Sequence, residues 1–326
     1  MIEDSFGRVH DYLRISLTDN CNFRCFYCMP EEDYHFTPAS RLMQPDEILA
    51  LAKIFVAQGV KKIRLTGGEP LVRKDAALII AELGKLPVEL VITTNGTRIA
   101  EMLPVLISAG IKTVNVSLDT LQREKFLLIT RRDAFEQVRE NINLLLQHHI
   151  SVKINMVVMK GLNDNEIKAF IGWTKDQAIE IRFIEFMPFT GNKWTSNKMF
   201  SLEEILSEIQ QDFVVFPAKG NPNDTAKHFT IPSHRGSFAI ISTMTAPFCS
   251  TCNRMRLTAD GKLKNCLFSE EETDLLTALR NNQPVLPLIQ ASIWNKKKEL
   301  GGQLNKPFEQ IDIQDIHNRS MITIGG

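Results

Sequence analysis

Six short runs rich in β-branched residues alternate with amphipathic stretches over residues 1–190, and this repetition restricts the chain to a parallel α/β architecture. The runs are Leu13–Leu17, Lys62–Leu65, Glu89–Thr93, Thr113–Ser117, Ser151–Val158 and Glu180–Phe186. Between them the spacing predicts helices over Asp46–Gln58, Ala76–Lys85, Ala100–Ala109, Phe135–His148 and Asn165–Gln177. Gly59 and Gly110 fall where helix C-termini favour a left-handed residue. Parallel strands with helical crossovers suggest an incomplete (βα)6 TIM-like barrel. A doubly wound sheet is the alternative, because strand order cannot be read from sequence.

The texture changes after Pro188. Gly191–Ser196 reads as a polar loop, Ser201–Asp212 as a capped helix, Lys219–Ala226 as a linker and Ser237–Thr243 as a strand. Met255–Thr258 and Lys262–Cys266 flank Ala259-Asp260-Gly261 as a hairpin, followed by helices around Asp274–Asn281 and Pro284–Lys298. The chain therefore divides into residues 1–190, the partial barrel, and residues 191–326, a C-terminal α+β extension.

The strands end in polar signatures: Thr18-Asp19-Asn20, Thr66-Gly67-Gly68-Glu69-Pro70, Thr93-Thr94-Asn95-Gly96, Ser117-Leu118-Asp119 and Glu185-Phe186-Met187-Pro188. A barrel keeps its chemistry at that face. All six cysteines fall into two triads. Cys21, Cys25 and Cys28 form CxxxCxxC directly after the first strand; Cys249 and Cys252 form CxxC, with Cys266 fourteen residues later. A signal-less chain of this length has no need of disulfide staples. Three thiolates cannot saturate a four-iron cluster, so one iron stays open to a small molecule. Zinc is the competing reading, completed by His10 or His35 at the first triad and by His228 or His234 at the second.

Cations occupy the strands as well. Arg14, Arg64, Lys153 and Arg182 lie in four of the six runs, and Arg254 and Arg256 alternate about Met255 so that both point to one face. Each cation alone is an ordinary solvated or paired charge; together they suit a polyphosphate. The formal net charge of zero gives no global attraction to nucleic acid or an anionic membrane. No apolar run reaches membrane-spanning length, and the acidic N-terminus lacks a secretory or transit pattern, so a reducing cytoplasm is expected. The terminal Gly325-Gly326 reads as a frayed tail or as a segment slim enough to thread into a site.

CxxxCxxC with Tyr27 before its last cysteine, followed one βα unit later by Gly67-Gly68-Glu69-Pro70, resembles the radical S-adenosylmethionine (SAM) superfamily. The second triad, Arg254-Met255-Arg256, the stretches TTNG, NVSLDTL and EIRFIEFMP, and the terminal diglycine narrow the resemblance to its GTP 3′,8-cyclase family in molybdenum cofactor biosynthesis. The resemblance implies two [4Fe-4S] clusters, one on Cys21, Cys25 and Cys28 and one on Cys249, Cys252 and Cys266. It implies SAM contacts by Tyr27, Gly68, Ser117 and Met187, and GTP contacts by Arg14, Arg64, Thr93, Lys153, Arg182, Arg254, Met255 and Arg256. It gives catalytic roles to Arg14, Arg254, Arg256, Gly325 and Gly326. It also implies hydrogen abstraction at C3′ of GTP and closure onto C8. A homodimer, a flavodoxin- or ferredoxin-type reductant and a downstream cyclic pyranopterin monophosphate synthase complete it. A peptide-modifying two-cluster relative is the alternative. Asp224-Thr225-Ala226 stands where the family tends to carry a Gly-Pro-Ala turn.

Overall fold

The computed structural model describes residues 1–30, 34, 36–304 and 306–325. The strands are β1 (Tyr12–Ser16), β2 (Lys62–Thr66), β3 (Glu89–Thr94), β4 (Thr113–Ser117), β5 (Ser151–Val158), β6 (Ile179–Glu185), β7 (Phe216–Ala218), β8 (Lys227–Thr230), β9 (Ser237–Ile241), β10 (Arg254–Leu257), β11 (Lys262–Lys264) and β12 (Thr273–Asp274). The helices are α1 (Pro45–Ala57), α2 (Ala76–Leu83), α3 (Ile99–Ser108), α4 (Arg123–Thr130), α5 (Phe135–Gln147), α6 (Ile167–Trp173), α7 (Leu202–Gln210), α8 (Leu275–Arg280), α9 (Leu286–Trp294) and α10 (Met321–Ile324).

The twelve strands among the described residues form one sheet, ordered β12-β11-β10-β1-β2-β3-β4-β5-β6-β9-β8-β7. Strands β1 to β6 pair in parallel and in sequence order. A doubly wound sheet reverses order at a switch point; this one does not, which removes that alternative. β10 pairs in parallel with β1, and β9 with β6, so the C-terminal segment continues the sheet at both edges.

Burial explains the strands. Leu13, Ile15, Ile63, Leu65, Val114, Val116, Ile154 and Met156 are fully buried and belong to one apolar core with Leu51, Phe55 and Ile80 from the helices. Gly59 and Gly110 have φ of 98° and 70°, as helix ends require. The Ser201 side chain accepts from the Glu204 main chain and Glu204 reaches back, a reciprocal cap that starts α7.

Three sequence expectations are corrected. α4 was not expected, because Leu127 and Leu128 face outward and spoil the apolar period. The Asn165–Gln177 helix is a 3-10 turn, Asp164–Glu166, followed by the shorter α6. Strands β7 and β8 flank the expected linker and pair with each other.

Candidate functional site

A cavity of about 640 Å³ lies against the sheet, lined from β1 through β6 and from β10. Its lining includes Cys21, Cys25, Cys28, Tyr27, Gly68, Ser117 and Met187, and also Arg14, Arg64, Thr93, Arg182, Arg254 and Arg256. Residues expected to bind cofactor and residues expected to bind anion thus share one hollow.

The first triad sits on the loop after β1. Thr18 Oγ1 accepts from Asn20 N at 3.0 Å, and Asp19 Oδ2 from Thr37 N at 2.7 Å, which sets the turn. The Gly67-Gly68 turn packs directly on that loop: Gly68 N donates to Thr18 O at 2.6 Å, and a Cβ on Gly68 would stand 2.4 Å from Asn20 O. The missing side chain therefore admits the cysteine loop itself, not only a ligand. Glu69 is buried and accepts from Asn95 N (2.6 Å), Leu71 N (3.0 Å) and Thr94 Oγ1 (2.8 Å), joining the ends of β2 and β3. Burial outweighs those donors and pushes its carboxyl up to about 7. Tyr27 donates to Asp119 Oδ2 at 2.6 Å, and burial raises Asp119 to about 6. Burial and the nearby Glu69 push Cys21 up to about 11; burial, with Cys28 and Asp119 close by, holds Cys25 well above the ordinary thiol value.

Across the cavity, register does the work. Arg14 on β1 stands opposite Arg256 on β10 and Arg64 on β2, so three guanidiniums lie at one level on adjacent strands about 4.8 Å apart. Like charges directly opposite one another destabilise a sheet. Burial and the neighbouring Arg256 and Arg64 hold Arg14 well below the ordinary arginine value, and burial with Arg254 takes Arg256 down to about 10. Arg64 donates to Tyr12 Oη and, at 3.1 Å, to Thr93 Oγ1. A polyanion placed in the hollow would stabilise such a row. Lys153 does not line the cavity; it pairs with Glu180 at 3.2 Å, as Arg182 does at 2.5 Å. Met255 is fully buried in the apolar core between the two arginines.

Cys249, Cys252 and Cys266 border the cavity through Phe248, Asn253, Arg254 and Leu267 without lining it. Because β10 follows Cys252 directly and runs parallel to β1, which leads into Cys21, the two triads sit at opposite ends of one strand pair. Leu300 N donates to Cys249 Sγ at 3.4 Å. Arg8, paired with Asp4 at 2.6 Å, donates to the carbonyls of Cys249 (2.7 Å), Lys298 (2.7 Å) and Lys297 (3.0 Å). Burial alone would raise Cys252, but Arg254 and Lys296 outweigh it and lower the thiol to about 6.

All six cysteines are free thiols. Among the described residues no three His, Cys, Asp or Glu side chains converge on a point that could hold one metal ion. The histidines offered for zinc are engaged elsewhere: His10 with Asp4 (2.9 Å), His228 with Asp224 (3.1 Å) and Glu180 (3.4 Å), and His234 with Thr174 (2.8 Å). His35 lies outside the described residues. Two separated sets of three soft donors, neither closing on a single ion, fit iron–sulfur clusters better than zinc.

The tail reaches the same place. Gly325 has φ of 87°, and a Cβ there would stand 2.8 Å from Ser16 Cβ and 2.9 Å from Thr66 Oγ1. Arg256 Nη1 donates to Gly325 O at 3.3 Å. Gly326 lies outside the described residues. The base of the tail is fixed by Arg319, which bonds Asp260 at 2.8 Å and Glu272 at 2.5 Å.

Sequence reasoning missed Arg8, which reaches the Cys249 carbonyl 241 positions away, and Lys296, which reaches Cys252 from 44 positions away; neither leaves a local signal. It also missed Lys62, which lines the cavity and alternates with Arg64 as Arg254 does with Arg256; the same two-residue period would have found it.

Residues 15–174 match the Radical SAM superfamily, and residues 179–301 match Molybdenum Cofactor Synthesis C. GTP 3′,8-cyclase of Listeria monocytogenes is 39% identical over 333 residues, 100% of this chain and 99% of that protein. Molybdenum cofactor biosynthesis protein 1 of Dictyostelium discoideum is 44% identical over 335 residues, 100% of this chain and 52% of that protein. The chain thus spans about half the length of that relative. Streptococcus suis SuiB bound to S-adenosylmethionine superposes with a TM-score of 0.61 at 16% identity, covering 87% of this chain and 68% of that one, a likeness that establishes the fold alone.

Proposed function

The chain belongs to the GTP 3′,8-cyclase family of the radical SAM superfamily, and from that premise we propose that it converts GTP to (8S)-3′,8-cyclo-7,8-dihydroguanosine 5′-triphosphate for molybdenum cofactor biosynthesis. The observation that carries this reading is the shared hollow: the first cysteine triad and the Gly67-Gly68 turn on one side, and the Arg256–Arg14–Arg64 row on the other.

Cys21, Cys25 and Cys28 would hold one [4Fe-4S] cluster, and Cys249, Cys252 and Cys266 a second. With SAM, the first supplies reductive cleavage and hydrogen abstraction at C3′ of the nucleotide. This chain's own residues position the reactants. Tyr27, Gly68, Ser117 and Met187 orient SAM. Arg14, Arg64, Arg254 and Arg256 hold the triphosphate with Thr93, and Lys153 and Arg182 adjust the field at its rim through Glu180. The main chain at Met255 keeps the two arginines on one face. Gly325 approaches the reacting end where a side chain would collide with β1 and β2, and the catalytic role proposed for the diglycine extends to Gly326.

On this reading the sheet is an incomplete (βα)6 barrel formed by residues 1–190, closed by residues 191–326. A homodimer, a flavodoxin- or ferredoxin-type electron donor and a cyclic pyranopterin monophosphate synthase acting next belong to the same proposal. No helix among the described residues is long and apolar enough to cross a membrane.

The test is anaerobic incubation of the reconstituted chain with GTP, SAM and dithionite, followed by mass spectrometry. The expected products are 5′-deoxyadenosine and a GTP isomer in equal amounts, the second formed by joining C3′ to C8. Cleavage of SAM that is indifferent to GTP, with no new nucleotide, would overturn the assignment.

A further inference from the structure

Lys296 follows α9 and is buried at 3% exposure. Its ammonium has two acceptors, Cys252 Sγ at 3.5 Å and the Arg254 carbonyl at 3.1 Å. Neither is a carboxylate. Arg8, another buried cation beside this triad, differs: Asp4 balances its charge and its remaining donors meet carbonyls. Arg254 also bonds Cys252, but it lies over the Phe248 ring at 4.6 Å and lines the cavity, where the proposed nucleotide would share its charge. Lys296 is therefore a fixed positive charge aimed at a ligand sulfur. A buried ammonium without a counter-charge costs several kcal/mol, so the sulfur it faces is expected to belong to an anionic group.

Resting on the reading that Cys249, Cys252 and Cys266 hold an iron–sulfur cluster, we propose that Lys296 sets the reduction potential of that cluster, holding it more positive than the triad alone would. The step is one electron into the cluster, with no bond made or broken and no proton moved. The cluster gains one negative charge, and a fixed cation in a low-dielectric site favours the more negative state. Hydrogen bonds to cluster sulfurs act in the same direction. Among the described residues no lysine faces a sulfur of the first triad: the Arg24 guanidinium beside it donates to the carbonyls of Cys21 and Phe23, and Cys21 itself accepts from the uncharged Asn95 amide at 3.9 Å.

The test uses the full chain with Cys21, Cys25 and Cys28 all changed to alanine, so that only the second cluster assembles. Dithionite titration followed by electron paramagnetic resonance gives its midpoint. In Lys296→Met we expect at least a tenfold loss in the reduction equilibrium constant, ~59 mV toward the negative for one electron. Lys296→Arg, which keeps the charge, should stay near the parent value. The first cluster, measured with the second triad removed, should not move in Lys296→Met. A loaded Lys296→Met cluster at the parent potential would overturn the proposal. Loss of the cluster from Lys296→Met but not from Lys296→Arg would support a charge requirement, whereas loss from both would overturn it in favour of packing. If the parent chain bound no iron at the second triad, the cluster reading beneath the proposal would fall first.

Discussion

Around Cys21, Cys25 and Cys28 the carboxylates Glu69 and Asp119 raise thiols that burial already raises; around Cys252 the cations Arg254 and Lys296 overcome burial and lower it. The donor set is the same three cysteines. What differs is the charge in the surrounding shell, and that shell comes from different places. Glu69 and Asp119 belong to strand ends of the sheet, and Asp119 also lines the cavity. Lys296 and Arg8 arrive from the two ends of the chain and seal the second triad from outside. An anionic shell disfavours adding an electron, as a strongly reducing centre requires; a cationic shell favours it. Charge placement would thus give the two clusters proposed for this chain different tasks.

The sharpest way to break the contrast is to remove one triad at a time. Cys25→Ala should abolish 5′-deoxyadenosine formation altogether. Cys252→Ala should abolish the cyclised nucleotide while SAM cleavage stays measurable; equal loss of both products in both variants would show that the triads act as one unit. Removal of Gly325 and Gly326 should also abolish cyclisation, with iron content at both triads unchanged, and a truncated chain that turns over normally would refute a role for the tail beside Ser16 and Thr66.

Arg256→Ala comes next. It removes charge-assisted hydrogen bonds of about 1.5–3 kcal/mol, so the apparent affinity for GTP should fall about tenfold to a hundredfold. Cleavage of SAM without GTP should be retained, and unchanged nucleotide affinity in equilibrium binding would refute the anion row.

A smaller effect is expected from the thiols of the iron-free chain. At pH 7.5 Cys252, lowered to about 6, is ionised; Cys21, raised to about 11, remains protonated until the pH passes that value. Iodoacetamide labelling read by peptide mass spectrometry should favour Cys252 about tenfold, since lower nucleophilicity offsets much of the gain in thiolate. Dropping to pH 5 should slow labelling of Cys252 about tenfold without erasing the preference, whereas raising the pH toward 11, where Cys21 also ionises, should erase it. The smallest change is Tyr27→Phe, which removes one donor from buried Asp119 and should cost about 1–3 kcal/mol of stability, visible as a few degrees in melting temperature.

The strands were legible because Leu13, Ile63, Val114 and Ile154 lie in β-branched runs bounded by polar turns, and the two triads because cysteine spacing is local. The aligned Arg14, Arg64 and Arg256 were legible only as residue types; that they share one level depends on register between strands distant in sequence. Helix α4 was hidden because a surface helix with Leu127 and Leu128 exposed does not show an amphipathic stripe. Lys153 and Arg182 read from sequence as cations for a polyphosphate, but both pair with Glu180, and that pairing depends on the register of β5 against β6.

The pairing of β1 with β10 joins segments roughly 240 residues apart. During synthesis at about 5–20 residues per second, β1 would wait some 10–50 seconds before that partner leaves the ribosome. Through that interval one side of β1 is an unpaired edge, the kind of template that invites aggregation, and the cysteine loop it carries stands beside it. Early capture of iron by that loop would order the nascent chain at its weakest moment, so iron starvation should lower the yield of folded protein as well as its activity.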